Sequence, residues 1–433
     1  MVKGESRAAS GEPKVSEQDG QPERLLLLVP TTSYRVGDFL KAADRLGAVV
    51  TVGANQKQVL EEYAESRTVT LDFKDIAKGT KQIVAFASAH PLKAIVSTDE
   101  ETTLLAAKAA AALGLAHNAP HSVEAALNKH RFRTLLEKAH LPCPWFKLFS
   151  LNHDPARAAR EVSYPCVLKP VALSASRGVI RADDAHAFVA AFQRITRLLN
   201  EIEAPPESTV AHDILVEGYI PGIEVALEGL LEAGQLNVLA LFDKPDPLEG
   251  PFFEETIYVT PSRLPRSAQD EIREATMRAV EALGLCDGPI HAELRLSDEG
   301  PVVIELAARS IGGLCARSLR FGAGLSLEEL ILRHAMGLPI ESMEREKSPA
   351  GVMMIPIPHA GILREVNGVI DARAVTGAVD VTIMIPTGQR IVPLPEGDRY
   401  LGFIFARAET PEAVEACLRE AHRRLDFVIE PEP

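Results

Sequence analysis

Cysteine is scarce in this chain and carries no pattern. Five cysteines stand among 433 residues, at positions 143, 166, 286, 315 and 417, an odd count with no C-x-x-C pair. That excludes a disulfide framework and a zinc site, and it implies reduced thiols in a cytoplasmic protein. No apolar run is long enough to span a membrane. Residues 1–22 lack the apolar segment of a secretory signal; they are rich in Gly, Ser, Glu and Lys and read as a disordered tail. Basic charge is short as well: the formal net charge is −14, which argues against a nucleic-acid partner. The first predicted strand runs into VPTTSYR without G-x-G-x-x-G, so a dinucleotide fingerprint is missing and the first domain is not expected to hold nucleotide itself.

What is present describes a soluble globular protein. The chain is 46% hydrophobic and 24% charged, long enough for about two to four domains. Strands at 24–30, 48–53, 69–71 and 94–98 alternate with helices at 37–46, 57–65, 75–88 and 101–113, which predicts a parallel, doubly wound sheet. One long helix is expected over 122–139, with Ser122 as its N-cap. Further strands are expected at 164–170, 214–219, 223–231 and 238–242, and helices at 185–200, 267–283 and 326–336. Residues 201–210 read as a polar loop and 246–262 as a proline-rich loop. From 349 the pattern turns to β, with a strand at 400–409 and a helix at 411–424.

The most informative stretch is GPIHAELRLSDEGPVVIELAARSIGG, residues 288–313. Strands at 291–296 and 302–306 flank the turn SDEGP. Alternation puts His291, Glu293 and Arg295 on one face and Ala292, Leu294 and Leu296 on the other. Antiparallel pairing can set Glu293 opposite Glu305, a carboxylate standing among Val302, Val303, Ile304 and Leu306. Two facing carboxylates repel unless a cation sits between them, and Mg2+ held by one or two carboxylates plus substrate phosphates meets that need. Arg309 follows, before the Gly312-Gly313 turn, and could hold a transferring phosphate oxygen. The plain alternative is a surface hairpin with scattered charges.

Upstream residues add to this. Lys169 ends the apolar strand VLKP and must reach an anion or solvent. Residues 173–179, with Ser174, Ser176 and Gly178, suit a mobile turn whose N–H groups could cradle phosphate. Glu255 lies beside Phe252, Phe253 and Tyr258, a setting that suits a zwitterionic substrate: the carboxylate takes the ammonium and the rings pack the side chain. Ordinary solvated loop charges are the alternative reading there.

In order, Lys129, Lys169, the Ser/Gly loop, VEGYIPGIEVALEG, Glu293, Glu305 and Arg309 resemble the ATP-grasp ligases over roughly residues 24–433. The segments HNAPHSVEAALNKHRFR, DKP…FFEE…TPS and RYLGFIFARAETPEAVEACL are most similar to the L-amino-acid ligase group, which includes dipeptide-forming enzymes. The resemblance implies an α/β chain: an N-terminal doubly wound parallel-sheet domain at 23–117, a central ATP-grasp α+β region at 118–343 with a nucleotide lid at about 145–215, and a small C-terminal α+β domain at 344–433. It implies ATP, with Lys129 and Lys169 on the phosphates, Glu217, Tyr219 and Ile220 in the adenine hinge, and Glu224 on the ribose. It implies one or two Mg2+ ions on Glu293 and Glu305, and Arg309 stabilising an acyl-phosphate step. Glu255, Tyr258, Arg309, Gly312 and Gly313 would line the amino-acid site. Ala307 departs from the family, many members of which carry Asn there. The implied activity is ATP-dependent joining of a small-molecule carboxylate to an amine, with no nucleic acid and no membrane; a homodimer stays open. Two rival readings are a biotin-carboxylase-like enzyme activating bicarbonate and a catalytically silent nucleotide-binding regulator.

Overall fold

The first apolar run, Leu25 to Leu28, is fully buried and forms β1 (Arg24–Val29). The computed structural model describes residues 23–31, 33–57, 66–202 and 212–431. After β1 come α1 (Val36–Arg45), β2 (Val49–Ala54), β3 (Thr68–Thr70), α2 (Ile76–Ala89), β4 (Leu92–Ser97) and α3 (Thr103–Leu113). The strands pair in parallel in the order β3-β2-β1-β4, as the alternation predicts. Strands covered by helices on both faces read as continuous apolar runs, which is why this sheet is legible in the sequence. The expected tail, all but the first residue of the 57–65 helix, and most of the 201–210 loop lie outside the described residues.

The helix expected over 122–139 is two helices, α4 (Pro120–Leu127) and α5 (Lys129–Lys138). Asn128 breaks it: its backbone is extended and its side chain accepts from Arg131 N, capping α5. Ser122 is no cap; it is buried within α4 and its hydroxyl donates to Gly284 O at 2.9 Å. The break puts Lys129 in the first residue of α5.

A small four-stranded α/β unit follows: β5 (Phe146–Ser150), α6 (Pro155–Ala158), β6 (Cys166–Pro170), β7 (Ile180–Ala182), α7 (Ala185–Glu201) and β8 (Asp213–Gly218), with sheet order β5-β8-β6-β7. Phe188, Phe192 and Ile195 of α7 pack on this sheet. The remaining elements are β9 (Ile223–Glu232), β10 (Gln235–Asp243), β11 (Ile257–Thr260), α8 (Arg266–Leu283), β12 (Gly288–Ser297), β13 (Gly300–Ala307), α9 (Leu327–Ala335), β14 (Ala350–Ile355), β15 (Gly361–Asn367), α10 (Val369–Arg373), β16 (Ala378–Ile383), β17 (Arg390–Ile391), β18 (Gly402–Arg407), α11 (Pro411–Arg423) and β19 (Asp426–Glu430). Eight of these strands form one sheet, β13-β12-β9-β10-β11-β14-β18-β16, and β17-β15-β19 a separate one. β11 corrects the expected 246–262 loop. Its IYVT run is wholly buried and pairs with β10 on one side and β14 on the other.

Candidate active site

The register of β12 against β13 sets Glu293 opposite Glu305; the turn alone would pair Glu293 with Ile304, and a bulge at Ile304 shifts the register by one residue. On its other side β12 pairs with β9, which puts Arg295 opposite Glu224 and His291 opposite Glu228. The polar face of β12 thus meets a second polar face of period two. Arg295 Nε donates to Glu224 Oε2 at 3.0 Å, His291 Nδ1 lies 3.1 Å from Glu228 Oε2, and His291 Nε2 lies 3.3 Å from Glu293 Oε1. Burial alone would lower the His291 pKa, but Glu228 and Glu293 lift it to about 9, so the imidazole is a cation at neutral pH. Glu228 also accepts from Ile311 N at 3.0 Å and so ties the wall to the Arg309–Gly313 turn.

This wall faces a cavity of about 460 Å³. Every expected site residue except Gly178 lines it, together with Tyr34 and Glu100 from the N-terminal part and Tyr400 from the C-terminal part. The cation that Glu305 needs is Lys129, whose Nζ lies 3.6 Å from Glu305 Oε2 and donates to Leu173 O at 2.7 Å. Arg309 is held by Glu100, with Nε donating to Oε2 at 2.9 Å. Burial opposes the Arg309 charge, but Glu100 raises its pKa.

Three expected roles meet a different geometry. Lys169 and Glu217 are joined to each other, both buried, and Arg133 grips the Glu217 carboxylate at 2.8 and 3.1 Å while donating to Val303 O and Ile304 O. Burial would raise the Glu217 carboxyl, yet Arg133 and Lys169 hold it down to about 2. Glu217 is therefore a buried counter-ion that fastens β8 to α5 and β6, while Arg133 carries the link on to β13. The 173–179 turn is docked on the C-terminal part instead of hanging free. Gly178 N donates to Pro395 O and Arg177 Nε to Glu396 O, both at 2.8 Å, and Arg194 of α7 grips the Glu396 carboxylate. Gly178 has φ +72°, and a Cβ there would meet Pro170 Cγ at 2.8 Å. Glu255 already has partners, Lys244 and the Tyr258 hydroxyl, the latter at 2.8 Å. Phe252 leaves the site: it packs against the core of the β5–β8 unit under Arg194, whose guanidinium lies 4.9 Å from the ring centre, while Phe253 stays at the cavity.

Sequence reasoning missed Lys244, His291, Arg295, Glu228, Glu100 and Arg133 as site residues. Lys244 could have been found. It closes the apolar run LALFDK just as Lys169 closes VLK, and the same demand for an anion applies. Its ammonium meets Glu224 at 2.8 Å, Glu293 at 3.4 Å and Glu255. Burial opposes its charge, but these carboxylates push its pKa well above the ordinary lysine range.

The comparisons with known proteins agree with this architecture. The ATP-grasp N-terminal domain matches residues 40–117, the ATP-grasp domain residues 162–318, and the L-amino acid ligase C-terminal domain 2 residues 353–430. The chain carries ATP-grasp domains. It resembles the crystal structure of L-amino acid ligase from Bacillus licheniformis, with TM-score 0.79 and 26% identity over 94% of this chain and 99% of that one. Alanine–anticapsin ligase of Bacillus subtilis is 29% identical over 265 residues, 58% of this chain. That match spans only 56% of the relative's own length. The ATP-grasp fold is shared more widely: carboxyaminoimidazole ribonucleotide synthase from Aspergillus clavatus, at 16% identity, superposes with TM-score 0.69 over 94% of this chain and 99% of that one. In this ATP-grasp chain no helix among the described residues is long and apolar enough to cross a membrane.

Proposed function

We propose that this chain is an ATP-dependent carboxylate–amine ligase, which activates an amino-acid carboxylate as an acyl phosphate and joins it to an amine. The observation that carries this reading is the facing pair Glu293 and Glu305, with Lys129 beside it and Arg309 in the same cavity. A carboxylate is a poor electrophile at neutral pH. Transfer of the γ-phosphoryl of ATP to one of its oxygens gives an acyl phosphate; an amine then attacks the carbonyl carbon and phosphate leaves. Such a transfer calls for charge neutralisation and alignment more than for covalent help. Lys129, beside Glu305, and Arg309, in the same cavity, supply positive charge. The N–H groups of the turn around Ser174 and Ser176 suit the phosphates, and the backbone of Tyr219 and Ile220 suits the base. Ile220 O already accepts from Arg295 Nη1 at 3.0 Å, which fixes that stretch before any nucleotide arrives.

The acid pair fits a divalent ion. Glu305 is partly exposed, faces a second carboxylate, and has Lys129 as its one charged partner in an ion pair among the described residues. Glu293 and Glu305 would hold Mg2+, which when bound neutralises phosphate charge. The docked 173–179 turn and the C-terminal residues Arg399 and Tyr400 line the cavity, and walls of this kind suit a reactive acyl phosphate, which must be kept from water. Phe253 and Tyr258 beside Glu255 favour a substrate larger than bicarbonate. The five cysteines are all unpaired, which suits a cytoplasmic location.

A phosphate-release screen with Mg2+ and ATP tests the reading. Release that depends on amino acids, singly or in pairs, is the expected result. Release with bicarbonate alone would replace the ligase by a carboxylase. Tight ATP binding without release on any substrate would leave a regulator.

A further inference from the structure

Three carboxylates of the wall, Glu224, Glu255 and Glu293, bring oxygens within 4.8 Å of one another, the spacing of a divalent-ion site. All three line the cavity. Lys244 reaches them from behind, its side chain only 3% exposed, and its Nζ contacts every one of them. Each carboxylate also has a second donor: Arg295 on Glu224, the Tyr258 hydroxyl on Glu255, and His291 on Glu293. On the β9 side Glu293 faces Ala226, which offers it no polar partner, so the ammonium from the end of β10 fills that role. A divalent ion among these three oxygens would sit within a few ångströms of a buried ammonium, in surroundings that screen the repulsion poorly. Glu305 lies outside the cluster and pairs with Lys129 instead of Lys244.

We propose that Lys244 is a resident cation that closes the Glu224–Glu255–Glu293 trio to divalent ions and so confines magnesium to the Glu293–Glu305 edge of the wall. It is a positioning residue: it stands in for a metal on one side of Glu293 and leaves the other side open. The inference takes from the proposed function only that a divalent ion serves this wall.

The test uses Mn2+ alone as the probe, with the full chain and no nucleotide, and follows free Mn2+ by its electron paramagnetic resonance signal. Lys244→Met should gain an ion that wild-type protein does not bind. Lys244→Arg should keep the wild-type count, and adding Glu255→Gln to Lys244→Met should remove the gained ion. A folded Lys244→Met protein that binds no more Mn2+ than wild type would overturn the proposal. If that variant does not fold, wild-type protein decides. A nucleotide-independent ion that Glu255→Gln removes would overturn the proposal, and a count unchanged by Glu255→Gln would support it. No turnover enters the readout. A protein that gains the ion but releases no phosphate with any amino acid would therefore fail as a ligase and still bear out the role of Lys244.

Discussion

Replacing Glu217 by Gln is the sharpest test of the view that this residue is a buried counter-ion. The variant keeps the shape and removes the charge shared by Arg133 and Lys169. Its cost can be reached in two ways. The carboxyl pKa falls from an ordinary 4.5 to about 2 in the folded chain, and that drop corresponds to about 3 kcal/mol of stability at neutral pH. Removing one partner of a buried ion pair costs about 3–5 kcal/mol by comparison with other proteins. The pH dependence follows from the sign of the shift. A depressed pKa contributes stability above the unfolded value, and that contribution is lost as pH falls through the folded value. Wild type should therefore lead the variant by about 3 kcal/mol at pH 7 and by only about 1–1.5 kcal/mol at pH 3. The chain carries its own reporter, because its one tryptophan, Trp145, lies against Gly218, the neighbour of Glu217. Urea unfolding followed by Trp145 fluorescence, at both pH values, gives the two differences. A variant as stable as wild type at pH 7, or a difference that does not shrink at pH 3, would refute the reasoning.

Other expectations follow from the same geometry. Glu305→Gln should abolish Mg2+-dependent phosphate release while changing stability by less than about 0.5 kcal/mol, since Glu305 is partly exposed; calorimetry and a coupled phosphate assay on one preparation check both halves. Arg309→Ala should lower kcat by about 10²–10³-fold if the guanidinium meets charge that develops during transfer, and an unchanged kcat in steady-state kinetics would reduce Arg309 to a strut for Glu100. The 173–179 turn should resist limited proteolysis even without nucleotide, because Gly178 and Arg177 are docked on the carbonyls of Pro395 and Glu396; Glu396→Ala keeps those carbonyls but removes the Arg194 grip on the segment that carries them and should expose the turn, and equal cleavage of both proteins would show that this grip does not hold the dock.

Much of the site could be read before the structure. That Glu293 can face Glu305 follows from antiparallel pairing of two strands about a short turn, but the bulge at Ile304 that completes the alignment leaves no signal in the sequence. The first sheet was legible from apolar runs alone. What escaped reading depends on partners far away in sequence. Arg133 meets Glu217 across 84 positions and Ile304 across 171, and neither contact leaves a local trace. β11 hid in a proline-rich segment because its four residues owe their strand to β10 and β14. Asn128 was read as part of a helix because the apolar spacing continues through it, although a side chain that caps so well can interrupt a helix at little cost. Lys244 carries no role in the sequence reading, although its position after an apolar strand gives the same message as that of Lys169.

The eight-stranded sheet has a consequence for anyone who would take this protein apart. Strands β14, β18 and β16, all after residue 349, continue the very sheet that carries Glu293 and Glu305, and β11 is the seam between the two halves. A chain cut at about residue 343 would bare the whole edge of β11, four buried residues with their backbone groups unpaired, and such an edge invites association with other chains. The last ninety residues are thus not a detachable accessory. Hybrids made by exchanging this portion between relatives would have to match Ile257–Thr260 to Ala350–Met353 residue for residue, and the fitness of that splice would govern solubility before any question of substrate choice arose.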